Sequence, residues 1–282
     1  MKYIKGLKIN KVKIFLLLTG IGIYLFIQSK WVDVDHIAFK INGLPTELDG
    51  FKIAQISDLH IPQNEIEIDK LTELLKKENP DVIVLTGDTI SRGTNLDYSQ
   101  LEVLLDDLQE ITKVYAVLGN HETGNKFIDE YKELLKKYNV VLLENKFDIY
   151  VKNGKEIAFI GLNDNTKFRS DAIRGVERVK HMPIVMLAHR PELFDDYFYG
   201  DNEVKPSLVL TGHAHGGQFR FPFIKRGFIA PNQGFFPKYT SGIYKSNNGG
   251  AMIVSRGLGR SVIPFRINNR IHLPVIELKV SE

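Results

Sequence analysis

Cysteine is absent from the 282-residue chain. That excludes disulfides, thiolate metal ligands and a cysteine nucleophile, so any bound metal must rest on nitrogen and oxygen donors. Internal repeats and low-complexity tracts are also missing, and the length is long for one domain and short for two. No acid precedes Asp33, whereas Lys2, Lys5, Lys8, Lys11 and Lys13 all fall in the first thirteen residues. The formal net charge is +3, and setting those five lysines aside leaves 3 − 5 = −2 for the remainder. Bulk charge therefore does not mark the body as a nucleic-acid surface, and no nucleic-acid partner is expected.

An apolar run of full membrane-spanning length is lacking too. Ile14 to Ile27 is fourteen residues, broken only by Thr19 and two glycines, against the roughly 20 that cross hydrocarbon. Val12 and the Gln28–Trp31 segment extend it, with Lys13 and Lys30 able to snorkel. No small-x-small cleavage site and no twin-arginine pair accompany the run. The expectation is a retained signal anchor, with secretion after cleavage as the alternative. The chain then divides into a basic tail and anchor over 1–31 and a catalytic domain over 32–282. The lysine cluster places the N-terminus in the cytoplasm and the domain outside, as a single-pass membrane protein.

Beyond the anchor, strand-like and helix-like segments alternate. His36–Ile41 and Phe51–Ile56 read as strands separated by the turn-rich NGLPTELDG, and Ile66–Lys77 carries a helical apolar stripe. Asp81–Leu85 is a continuous apolar run suited to a strand buried on both faces. Helices over Leu96–Leu108 and Phe127–Tyr138 and strands at Val114–Leu118, Val140–Leu143, Pro183–Ala188 and Ser207–Leu210 continue the pattern. Asp148–Val151 and Ile157–Ile160 read as a hairpin turning at Asn153-Gly154. After Gly217 the chain changes to short strands and Gly/Pro turns. Such alternation predicts a layered α/β domain, with a strand count that points to two packed sheets, and ligand-bearing loops at the carboxyl ends of strands.

Metal-type residues recur at those strand ends: Asp58-Leu59-His60, Gly87-Asp88, Gly119-Asn120-His121-Glu122, His189, and His213-Ala214-His215. Residues two apart in an extended segment share a side, so Asp58 with His60, and His213 with His215, can each present two donors to one place. Five of the eight histidines lie in these segments. Neutral imidazoles, carboxylates and an amide carbonyl suit Mn, Fe or Zn better than Cu(I), and Ca would want more oxygens. Eight donor-type residues exceed the need of one ion, so two divalent ions sharing a carboxylate is the economical reading. Each fragment alone has an ordinary explanation as a cap or turn. Five in order at five strand exits do not.

The order DLH, GD, GNHE, AHRP, GHAHGGQ, together with the tail motifs SGIY and SRGLGRSVIPFRINN, resembles the calcineurin-like metallophosphoesterases, in a membrane-associated bacterial branch. The resemblance implies a four-layer α/β/β/α sandwich behind the anchor helix, and a hydrolase that attacks with metal-bound hydroxide. It assigns one ion to Asp58, His60 and His215, the other to Asn120, His189 and His213, with Asp88 bridging and His121 as the acid. It also implies phosphodiester or diphosphate substrates, lipid-linked or nucleotide-sugar in kind. Phosphomonoesterase or phosphoprotein phosphatase activity and a metal-stabilised binding module without turnover are the alternatives. Arg92, in the segment GDTISRG where many relatives carry an acid, is a candidate substrate contact, as are Arg256, Arg260 and Arg266 near the terminus. Six Phe and two Tyr between Phe219 and Tyr244 form either a packed lid or an apolar rim.

Overall fold

The computed structural model describes residues 11–281, leaving out 94–97, 165, 201, 222–225 and 261–265, and describes only the backbone at 25, 27, 29 and 30. Lys2, Lys5 and Lys8 therefore lie outside the described residues. Helix α1 (Lys11–Lys30) leads directly into strand β1 (Val32–Ile41), followed by β2 (Lys52–Ile56). The alternation continues with α2 (Ile68–Glu78), β3 (Val82–Thr86), α3 (Ser99–Ile111), β4 (Lys113–Val117), α4 (Asn120–Thr123), α5 (Ile128–Lys137) and β5 (Val141–Leu142). A second half contains β6 (Lys146–Lys152), β7 (Lys155–Gly161), β8 (Ile184–Leu187), α6 (Phe194–Tyr199) and β9 (Leu208–Thr211). It closes with β10 (Ile229–Ala230), β11 (Gly234–Phe235), β12 (Gly242–Lys245), β13 (Ala251–Val254) and β14 (Ile271–Val280).

Local chemistry accounts for the regular parts. Helix α2 buries Ile68, Leu71, Thr72 and Leu75 on one face, carries Lys76 and Lys77 in its last turn, and stops at Asn79 in a left-handed conformation. Strand β3 is buried at all five positions, as its unbroken apolar run predicts. The β6–β7 hairpin turns at Asn153 and Gly154, both at positive φ, the conformation that a two-residue primed turn demands.

Two six-stranded sheets face each other, ordered β1-β14-β2-β3-β4-β5 and β12-β13-β9-β8-β7-β6, while β10 and β11 form a separate ribbon. Three apolar cores fill the gaps between layers. One lies between the first sheet and α2, α3 and α5; a second between the sheets; a third between the second sheet and α6 with the loops around Phe168 and Tyr239. The layered α/β sandwich expected from the sequence is present. Unexpected is the neighbour of β1. Although only a turn-rich link separates β1 from β2, β14 from the far end of the chain inserts between them, parallel to β1 from Val32↔Ile271 to Ile41↔Val280 and antiparallel to β2. Pairing this distant leaves no local signal.

The membrane placement is overturned. Among the described residues no helix is long and apolar enough to cross a membrane. Helix α1 has twenty residues, but the charge-free stretch between Lys13 and Gln28 rises only about 21 Å, against about 30 Å of hydrocarbon. Its early side chains, such as Phe15, Leu16 and Leu17, are exposed, while its far end docks on the domain. There Gln28 is buried and the Tyr24 hydroxyl donates to the Asn268 carbonyl oxygen.

Candidate metal centre

All five predicted strand exits open toward one place. The way they do so differs from the expected alternation of extended chain. Asp58, His60, Asp88, His213 and His215 have φ of 49°, 54°, 52°, 65° and 45°. Side chains other than Gly rarely adopt this left-handed region, at a cost of order 1 kcal/mol or more each. The kinked segments are held by cross-links between loops: the amide of Asp58 donates to Gly87 O at 3.0 Å, that of His60 to Asp88 O at 3.0 Å, and that of Gly259 to Asp58 O at 2.7 Å. Close approach fixes one residue type as well. A Cβ at Gly119 would collide with the Asp88 carboxylate.

Three overlapping groups result, each with donor atoms within 4.8 Å of one another: Asp58, His60 and His215; His60, Asp88 and His121; and Asp88, His189 and His213. Asn120 joins the third through its carbonyl oxygen, 3.2 Å from His189 Nε2. His189 Nδ1 donates to the Thr86 carbonyl at 2.9 Å, which turns Nε2 toward Asp88 at 3.2 Å and toward His213 Nδ1 at 3.1 Å. His60 Nε2 and His215 Nε2 face each other at 3.1 Å. Asp58 accepts the Ser57 hydroxyl at 2.6 Å and the His213 amide at 2.9 and 3.0 Å.

Burial dominates the electrostatics. It pushes the Asp58 carboxyl up to about 6 and depresses His60 to about 4 and His213 to about 2. It also holds His215 well below the usual imidazole range and lowers His121. Burial opposes ionisation of Asp88 too, but the surrounding imidazoles, His189 foremost, hold it far below the carboxylate range. His189 is the counterpart: burial disfavours its cation, yet Asp88 raises it to about 10. The opposite shifts of Asp88 and His189 share one cause, the 3.2 Å approach of their side chains inside a buried cluster. Nitrogen and carboxylate donors converging in this way fit divalent metal ions of borderline hardness.

Two residues that hold the loops lie in motifs quoted above but were given no role from the sequence. Fully buried Glu122 accepts the amides of Asp88, Ile90 and Gly119 at 2.9, 3.0 and 2.8 Å, and burial, then the Asp88 charge, pushes its carboxyl up to about 7. Its place three residues after Gly119 at the start of α4 is capping-box spacing, which carried the signal. Asn269, the last residue of SRGLGRSVIPFRINN, donates to the carbonyls of His215 and Gln218 at 2.8 and 3.2 Å.

The arginines separate. Arg92 lies beside the centre, its amide donating to His121 Nδ1 at 2.9 Å and its Nε to Gly124 O at 3.2 Å. Arg266 is buried and fully engaged, with Glu65 at 2.9 Å and with the carbonyls of Arg256, Gly257 and Gly259. Arg260 is exposed and 3.6 Å from Glu65. Arg256 pairs with Asp33 at 2.5 Å, and both line a cavity whose walls include none of the donor residues. The aromatic segment also divides. Tyr239 packs on Phe194 and Tyr244, whereas Phe221, Phe235 and Phe236 gather around Phe228 yet remain 41%, 65% and 60% exposed; Phe223 lies outside the described residues.

The model of the calcineurin-like phosphoesterase family matches residues 51–217, more than half of the chain and the whole stretch from β2 to the loop after β9. The chain belongs to that family of metal-dependent enzymes, and it is a hydrolase acting on phosphoric esters. It is 28% identical to the uncharacterized metallophosphoesterase YkuE of Bacillus subtilis, over 92% of this chain and 90% of that one. It is 26% identical to YkoQ of the same organism, covering 91% and 97%, and 25% identical to phosphodiesterase YaeI of Escherichia coli, covering 92% and 93%.

Proposed function

We propose that the chain hydrolyses phosphodiester or diphosphate bonds with two divalent ions of the Mn, Fe or Zn type. Asp58, His60 and His215 would hold one ion, Asn120, His189 and His213 the other, and Asp88 would serve both. The observation that carries this reading is the convergence of two carboxylates, an amide and imidazoles from both sheets on one buried spot. When bound, such a pair of ions neutralises phosphoryl charge and lowers the pKa of water enough for it to attack.

The chain's own groups do the rest. The Arg92 amide donates to His121 Nδ1, so that nitrogen carries a lone pair and the proton sits on Nε2. Nε2 lies 3.9 Å from Asp88 Oδ2 in the one imidazole of the cluster that solvent reaches, 28% exposed. From there it can donate to the oxygen that leaves, the role expected of His121. Glu122 keeps Asp88 and Gly119 in register by taking three amides at once.

The YaeI phosphodiesterase supports the diester bond class. For the organic part, the exposed Phe221, Phe235 and Phe236 support a substituent with apolar character, as in a lipid-linked rather than a purely nucleotide substrate. The test is hydrolysis of bis(p-nitrophenyl) phosphate by the full chain with and without Mn, alongside metal counting by mass spectrometry. Two ions per chain and metal-dependent turnover are expected. One ion with full turnover would overturn the two-ion reading.

A further inference from the structure

Outside the donor cluster, a cavity of about 370 Å³ opens where the end of α1 meets the starts of β1 and β14. It is lined by Arg220, Arg256, Arg270, Asp33, Asn268 and Tyr24, among others. Three guanidinium groups thus face a single lining carboxylate, and Asp33 is already engaged with Arg256 at 2.5 Å. Arg220 donates to the carbonyl of Gly216 at 3.1 Å, and Arg270 lies over the Trp31 ring at 4.4 Å from its centroid. Among the described residues neither of these two arginines forms an ion pair.

Such an arrangement leaves charge unspent. Burial, and next the neighbouring Arg256 cation, depress the Arg220 guanidinium below its ordinary range, so the arginines strain against one another. Half-buried arginines brought together without matching acids are a recurrent means of binding phosphate, because their forked donors fit its oxygens. The surroundings are ordered for it. Asn268 donates its amide to Arg220 O at 3.0 Å and accepts from Tyr24, which ties α1 to the cavity wall. The cavity also lies within the size of small-molecule sites.

We propose that this cavity is a binding site for a phosphate-class dianion, free or esterified, built by Arg220, Arg256 and Arg270 and separate from the metal-type cluster. Its bond to Gly216 O makes Arg220 a direct link to the loop that carries His213 and His215. The proposal does not depend on the hydrolytic reading and is tested without turnover.

The full chain, stripped of metal with a chelator, is titrated calorimetrically with inorganic phosphate and with methyl phosphate. Saturable binding is expected for at least one, and tighter binding of the ester identifies an esterified phosphate as the source. The double variant Arg220→Gln/Arg270→Gln should lose about tenfold or more in affinity. Asp33→Asn, which frees Arg256, should bind several-fold more tightly, a gain that misfolding does not produce. His213→Asn, in the metal cluster, should bind as the parent does. No saturable binding, unchanged affinity in the arginine variant, weaker binding in Asp33→Asn, or loss in His213→Asn would each overturn the site.

Discussion

The sheet built around β2, β3 and β4 brings both carboxylates, Asp58 and Asp88, with His60 and Asn120 to the candidate centre. The facing sheet, through β8 and β9, brings imidazoles alone: His189, His213 and His215. The two sides are also secured differently. On the carboxylate side one buried acid, Glu122, gathers three amides. On the imidazole side a neutral amide, Asn269, donates to two carbonyls of the turn after His215, those of His215 and Gln218. The difference teaches that negative charge is grouped where backbone N–H donors converge, while lone pairs arrive from the opposite wall. The first and third donor groups each draw on both sheets, whereas the second, His60, Asp88 and His121, comes from the β2–β4 side alone.

Breaking the carboxylate side should do the most damage. Asp88→Ala removes the carboxylate common to two of the three donor clusters and should abolish turnover and reduce bound metal, read by mass spectrometry. Replacing Glu122 by Gln keeps the shape but turns an N–H donor toward amides that already donate. Turnover or metal affinity should fall about 10–100-fold, and an unchanged value would show that the three bonds are incidental. His121→Gln should lose about 10²–10⁴-fold in turnover while keeping its metal, measured on the same preparation. Asn269→Ala, on the imidazole side, should cost less than Glu122→Gln; a larger loss would reverse the comparison.

The smallest effect concerns a contact between the sheets. Asp148 on β6 accepts from Lys113 at 2.6 Å and from the Tyr115 hydroxyl at 2.8 Å, both on β4. Burial opposes its ionisation, but these two donors hold it below the usual carboxylate range. A depressed folded-state value means that the stabilisation is present above the unfolded value, about 3.9, and is lost as pH falls through the folded one. The stability gap between the parent and Asp148→Asn, followed by denaturant titration, should therefore be constant near neutrality and close below pH 4. A gap that widens in acid would contradict the assignment.

Much of this was legible in the order of residues. Unbroken apolar runs marked β3, β4, β8 and β9, and a helical stripe marked α2, because burial on two faces or one leaves a periodic trace. The donor residues stood out because each followed such a run. Hidden were the features that depend on distant partners. β14 lies between β1 and β2, and Gln55 on β2 reaches across to Thr86 Oγ1 at 3.0 Å and to the Thr211 carbonyl at 2.9 Å in the opposite sheet. The arginine cavity was glimpsed only through Arg256; Arg220 and Arg270 joined it through folding. An apolar helix flanked by lysines read as a membrane span, yet it is too short in apolar length and its end packs on the domain.

By itself the sequence determined the layered class, the five donor segments and the chemistry of their donors, since these follow from residue type and local period. The tertiary structure decided how those segments meet. Left-handed kinks at Asp58, His60, Asp88, His213 and His215, costly in isolation, are held by cross-loop hydrogen bonds that exist only once the two sheets have packed.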